Sequence, residues 1–272
     1  MFKKFAKDLL KIINQPVLRV LPGQIAFFLV LSIFPLLTLV GVIASFFSIS
    51  IDTLVSGINT ALPTEVTNIL IPFIQGKGFD TNIGIFMMLG FYLASNGTHS
   101  IILASNALYE AKNEDFIKRR VKAFLLILLL ILLFVFLLAF LAFGNNIARF
   151  LISHVKPVQV SQFIYYLFVF LKWPFAMFII YFAIKLIYTI APDIKLKSKY
   201  TTKGSIFTTL GWSIATAIYS YYVSNFTNYD IFYGGLSNII VLMIWVYILS
   251  YILVIGIAIN VKMYEYNSES GE

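Results

Sequence analysis

Cysteine is absent from the chain, which removes disulfides, thiolate metal ligands and catalytic thiols together. Charge is nearly as scarce. Only 12% of the 272 residues are Asp, Glu, Lys or Arg, against about a quarter in a soluble domain. A chain this poor in charge has too little polar surface to face water on all sides. Carboxylates are the rarer sign, at 12, and none falls inside the long apolar blocks. A carboxylate proton relay through a membrane therefore has no members. The two histidines, His99 and His154, have neither cysteine nor a neighbouring carboxylate to complete a zinc site. No Walker A loop is present for ATP, and no acid–base pair or RNA-binding module for RNA cleavage. No catalytic residue, cofactor or metal is expected, and the chain is read as a non-enzyme.

What the chain does have is apolar length: 60% of its residues are hydrophobic, and they come in blocks. A helix needs about 20 apolar residues to cross hydrocarbon. Six segments qualify, at 24–49, 83–108, 121–143, 172–191, 204–224 and 236–262. The third, VKAFLLILLLILLFVFLLAFLAF, is the plainest, while the second and fifth carry several polar residues. Lysines precede the first block as in a signal peptide, but 25–49 is longer than an h-region of about 7–15 residues. The expected fold is an all-α membrane protein: a six-transmembrane-helix bundle with interfacial amphipathic helices, in one polytopic domain.

Basic residues orient it. Lys3, Lys4, Lys7, Lys11 and Arg19 precede span 1; Lys112, Lys118, Arg119, Arg120 and Lys122 follow span 2. Lys195, Lys197, Lys199 and Lys203 follow span 4, and Lys262 lies near the end. The opposite side holds only Lys77, Arg149 and Lys156. Cytoplasmic loops carry the basic excess, so both termini are expected inside, in a bacterial inner or plasma membrane. This placement also explains the net charge of +8 without nucleic acid as a partner. Membrane lipids are the expected partners, with self-association left open. Residues 1–23 form a cytoplasmic amphipathic segment and 263–272 a cytoplasmic tail. Within the former, Phe2, Phe5, Leu9, Ile12 and Ile13 share a face opposite the lysines, as in a helix lying on an anionic leaflet. Residues 64–75 repeat the pattern outside, with Val66, Ile69, Leu70 and Phe73 on one stripe.

Span 4 has an ambiguous edge. Lys172, Trp173 and Pro174 follow an apolar run; proline suits a first helical turn and tryptophan the headgroup level. The crossing is expected to start near Lys172, with 145–171 on the outer face. The alternative is one long helix from Gln162 that buries Lys172.

Intramembrane polar residues mark candidate sites, because lipid tolerates them poorly. In span 2, Tyr92, Ser95, Asn96, His99, Asn106 and Tyr109 recur at helical spacing on one face. Span 1 adds Ser32 and Pro35, the proline unable to bond the Leu31 carbonyl. Span 5 adds Thr209 within a seam of small residues at 205, 209 and 213, a pattern that permits close helix packing. The candidate intramembrane site is therefore Ser32, Pro35, Asn96, His99, Asn106 and Thr209, with spans 1, 2 and 5 lining it. Each three-span half also runs proline-containing, then polar and glycine-containing, then apolar. Inverted repeats of this kind occur in transporters.

The C-terminal stretch YVSNFTNYDIFYGGLSNIIVLMIWVYILSYILVIGIAIN (222–260) resembles the signature of the YihY/BrkB family of multi-pass inner-membrane proteins, formerly labelled ribonuclease BN. GQIAFFLVLSIFPLL (23–37), SNALYEAKNEDFIKRR (105–120) and LIYTIAP (186–192) agree, in collinear order. The resemblance implies six spans and a role in envelope integrity. It also draws attention to Lys185, Tyr188 and Asn260 at the inner ends of spans 4 and 6. Two positions depart from the family pattern: Ala258 stands where a glutamate is usual, and Thr189 where a basic residue follows the tyrosine. The functional expectation is a transporter or flippase-like protein for a lipid or amphiphile, with a non-transporting envelope scaffold as the alternative.

Overall fold

Long apolar blocks in hydrocarbon can satisfy their backbone only as helices or closed barrels, and these blocks lack the alternation of a barrel strand. The computed structural model describes residues 19–32, 50–61, 66–68, 70–71, 83–112, 115–152, 158–226 and 237–269. Its long elements are helical: α1 (Arg19–Ser32), α2 (Ile51–Ala61), α3 (Ile83–Leu108), α4 (Phe116–Ile152), α5 (Val158–Ile190), α6 (Thr202–Phe226) and α7 (Ser237–Glu269). A short 3-10 turn, Ser198–Thr201, leads into α6. Among the described residues no strand is present.

Three windows are long and apolar enough to cross a membrane: Phe116–Leu137 in α4, Phe170–Ile190 in α5 and Ile239–Asn267 in α7. The protein is thus an all-helical, multi-pass membrane protein. At 1.5 Å per residue, α3 and α6 (26 and 25 residues) reach about 39 and 38 Å, enough length to cross, but polar side chains dilute them. The rest of span 1, including Pro35, lies outside the described residues, as do residues 2–13 and His154.

The core has two main tiers. At the end where α1 begins, Ile25, Ile102, Ala123, Ile184, Val254 and Ala258 pack together. Towards the other end, Val30, Leu54, Ile58, Ala94, Ile131, Leu242 and Trp245 form the second tier. α4 contacts α2, α3 and α5, while α7 packs along α6. The basic loops meet at the first end. Lys122 of α4 bonds Asp193 after α5, and Tyr264 of α7 stacks edge-on with Tyr109 and Tyr200.

Three expectations change. α5 runs unbroken from Val158 through Pro174 to Ile190, so no helix start lies at Lys172. An interior proline forfeits one backbone bond, and packing on α4 holds the helix through it. Lys172 is turned into the protein, with 7% of its surface exposed, instead of standing at an open headgroup level. Val66 and Leu70, expected on a membrane-facing stripe, are buried in the second tier beside Leu54 and Ile58. Such a stripe reads alike whether lipid or protein covers it. Finally, α2 was not anticipated; the Ser50 hydroxyl caps it by accepting from the Thr53 amide at 3.2 Å.

The small residues of α6 do what their spacing suggests. Ser205, Thr209 and Ser213 each return their hydroxyl to the carbonyl four residues earlier, leaving a smooth face. Against α7 the backbones come so close that a Cβ at Gly204 would strike the Gly256 carbonyl and Asn260 side chain. One at Gly256 would strike the Tyr188 and Thr208 hydroxyls.

Candidate functional site at the basic end

α3 presents its polar face to the start of α4 and to the loop after α5. Asn106, two residues before the end of α3, holds that loop with both ends of its amide. Its Nδ2 donates to Asp193 Oδ2 at 2.5 Å, and its Oδ1 accepts from the Asp193 amide at 2.8 Å. The other carboxylate oxygen, Oδ1, accepts from Lys122 Nζ at 2.7 Å, and the same ammonium donates to the Pro192 carbonyl at 2.9 Å. The Asp193 side chain has no solvent exposure and that of Lys122 has 22%. An ion pair this enclosed needs further hydrogen bonds to balance desolvation, and Asn106 supplies them.

About three turns deeper on α3, Asn96 Oδ1 accepts from Arg120 Nη1 at 2.6 Å. The guanidinium lies 4.4 Å from the Tyr92 ring centre and 5.1 Å from that of Phe124, a cationic plane between two aromatic rings. The Thr98 hydroxyl ties α3 to α4 through the Ala123 carbonyl at 2.9 Å. His99 lies edge-on to Phe116 at 6.2 Å between ring centres and within electrostatic reach of Arg119, Arg120 and Asp193. Five buried polar atoms here have no hydrogen-bond partner: His99 Nε2, Ser105 Oγ, Tyr109 Oη, Arg119 Nε and Arg120 Nη2. Burial and the nearby Tyr264 push the Tyr109 phenol well above its ordinary range, so it stays protonated.

A second polar group joins α5, α6 and α7. The fully buried Tyr188 hydroxyl donates to the Leu253 carbonyl at 2.8 Å and meets the Thr208 hydroxyl at 2.6 Å. Asn260 Oδ1 accepts from the Gly204 amide at 2.8 Å, near the start of α6. These bonds clamp α5, α6 and α7 together, although Asn260 Nδ2 is itself buried without a hydrogen-bond partner.

The anticipated residues therefore divide. Asn96, His99 and Asn106 do share one neighbourhood. Ser32 and Thr209 do not join it, because each hydroxyl bonds its own helix, at Leu29 and Ser205. The partners of the α3 face come from α4 and the 191–197 loop, not from α1 and α6, which corrects the expected lining. Tyr188 and Asn260 belong to the clamp. Lys185 sits over the Tyr181 ring at 5.6 Å, and Thr189 bonds the Lys185 carbonyl and the Thr201 hydroxyl. Ala258 is completely buried. The expectation that His99 stands clear of any carboxylate is also corrected, since Asp193 folds back into its surroundings.

These features lie within a sequence that matches the family described as Virulence factor BrkB over residues 13–272. The chain belongs to the BrkB family. Among BrkB relatives it is similar to YfkH of Bacillus subtilis strain 168, a protein whose name calls it ribonuclease-like. They are 27% identical, over 89% of each chain. It also resembles a membrane protein of Idiomarina loihiensis in the UPF0761 group, 29% identical over 32% of this chain and 31% of the relative. A UPF0761 membrane protein of Haemophilus influenzae is 25% identical over 28% of each. No solved structure matches.

Sequence reasoning counted Arg120, Lys122 and Asp193 only as loop charge. Asp193 carried a signal nonetheless: it is the one acidic residue in a loop otherwise bearing Lys195, Lys197, Lys199 and Lys203. Gly256 was likewise missed, though it opens the GIAIN stretch.

Proposed function

We propose that this BrkB protein moves a lipid or other amphiphile within the bacterial envelope, as a transporter or flippase-like protein without enzymatic activity. It sits in the inner or plasma membrane with six crossings, and the basic end that holds both termini faces the cytoplasm. The observation that carries this reading is the group of buried, partnerless polar atoms where α3 meets α4. Single unbonded atoms also occur elsewhere, at Asn260 Nδ2 and Ser250 Oγ. Here five lie together and two are guanidinium nitrogens, which helix packing alone does not call for. The helix around them shows the exposed apolar side chains Phe116, Ile117, Val121 and Leu125, which suit an acyl chain. A polar head and a greasy tail thus have adjacent places.

The scaffold alternative draws on a different observation, the Tyr188–Thr208–Asn260 clamp and the glycine contact beneath it, which fit a rigid bundle. Reconstitution into liposomes separates the two. Fluorescently tagged phospholipid in the inner leaflet should become accessible to an external quencher faster in protein-containing vesicles than in empty ones. Equal rates would leave the scaffold.

A further inference from the structure

The amphiphile reading leaves its headgroup open, and the chemistry of the partnerless atoms narrows it. Arginine nitrogens only donate hydrogen bonds, so Arg119 Nε and Arg120 Nη2 call for an acceptor. The Tyr109 hydroxyl can donate one more, and so can His99 Nε2 when it carries the ring proton. Among the described residues, none supplies that acceptor. The Asp193 carboxylate is already held by Lys122 and Asn106, and Asp115 at the start of α4 forms no ion pair with either arginine. Among the described residues, the ion pairs are Lys122–Asp193 and Lys262–Glu265, and neither includes Arg119 or Arg120.

Position on the helix points the same way. Lys118, Arg119, Arg120 and Lys122 crowd the first two turns of α4. There the helix dipole is positive and disfavours cations. Exposed lysines alone would set orientation, so half-buried guanidiniums at that place need another reason. An anion bound there offsets both the dipole and the mutual repulsion. Asn96, Tyr92 and Phe124 hold the Arg120 plane, so its fork is oriented before a ligand arrives. Planar forks of this kind match phosphate oxygens two at a time.

We propose that Arg119 and Arg120, with His99 beside them, form a binding site for a phosphate or phosphodiester group. The ligand is the headgroup of an anionic phospholipid whose acyl chain follows Val121, Leu125 and Leu128. These three exposed residues recur at helical spacing towards the bilayer centre. The site rests on the amphiphile reading for its lipid tail and on the donor geometry alone for its phosphate.

The test is native mass spectrometry of the full chain in detergent. It is offered dioleoyl phosphatidylglycerol and dioleoyl phosphatidylcholine in equal amounts, with inorganic phosphate as a separate arm. Both lipids carry a phosphodiester, but the choline cation is repelled by the clustered guanidiniums, so phosphatidylglycerol should be retained about tenfold over phosphatidylcholine. The R119Q/R120Q variant should lose that preference. Lys199→Gln, which removes an exposed charge from the same end, should keep it. Competition by inorganic phosphate would identify the phosphate itself as the recognised group; its failure to compete would show that the glycerol and tail contribute. Should R119Q/R120Q fail to fold, Arg120→Lys keeps the charge but not the fork and should still cut the preference severalfold. Equal retention of both lipids by the wild type would overturn the site. So would an undiminished preference in R119Q/R120Q or in its substitute Arg120→Lys, or an equal loss in Lys199→Gln. Lipid transfer without charge preference would leave the transport reading standing and remove this site; anionic preference without transfer would do the reverse.

Discussion

The Asp193 carboxylate is the natural place to perturb the fold, because three separate segments converge on it. Changing it to alanine takes the carboxylate from Lys122, which keeps the Pro192 carbonyl, and removes the Asp193 acceptor from Asn106 Nδ2. Breaking a buried ion pair costs about 3–5 kcal/mol, and breaking an exposed one about 0–1 kcal/mol. With no exposure at Asp193 and 22% at Lys122, the pair lies towards the buried limit. Asp193→Ala should therefore cost about 2–4 kcal/mol. Asp193→Asn, which keeps the shape and one acceptor, should cost about 1–2 kcal/mol. Lys122→Ala should cost less than Asp193→Ala, since the carboxylate retains Asn106. A double-mutant cycle between positions 122 and 193 should return a coupling of about 1.5–3 kcal/mol. The assay is unfolding in mixed micelles by titration with sodium dodecyl sulfate, followed through Trp173, Trp212 and Trp245. A coupling within experimental error of zero would refute the claim that this pair ties the α5–α6 loop to α3 and α4.

Gly256→Ala should destabilise the protein by about 2 kcal/mol or more, because the new methyl meets hydroxyls fixed in the Tyr188–Thr208 clamp. Gly211→Ala should cost less, about 1–2 kcal/mol in the same titration, since its methyl meets one Ile252 methyl at 2.8 Å instead of two clamped hydroxyls. With no native cysteine, single cysteines report sidedness directly. Lys199→Cys should react with an impermeant thiol reagent only after permeabilisation, and Lys77→Cys in intact cells. The reverse pattern would overturn the orientation.

The helices were legible because apolar blocks without carboxylates leave the backbone few other options, and the α3 polar face was legible from its spacing alone. Its partners were not. Asp193, Lys122 and Arg120 stand near loop ends, where a charge reads the same whether it meets water or folds back on a helix. The helix start at Lys172 was misjudged for a related reason: Lys-Trp-Pro describes a helix start locally, while packing on α4 carries α5 through it. The apolar window Phe170–Ile190 does begin beside Lys172. Val66 and Leu70 show the same limit, for an apolar stripe does not say whether lipid or protein will cover it. The small residues of α6 pointed to close packing, but the close approach to α7 falls at Gly204, Thr208 and Gly211, beside the expected seam of Ser205, Thr209 and Ser213. Ser32 and Thr209 went astray because a helical hydroxyl can satisfy itself on its own turn.

The account depends most on Arg120, the residue that links the oriented cation to the exposed apolar face of α4. Transfer of tagged phosphatidylglycerol across liposomes should be measured for the wild type and Arg120→Gln at matched reconstitution and helical content. The account predicts rapid transfer by the wild type and at least a tenfold loss in the variant; indistinguishable rates in the two would contradict it.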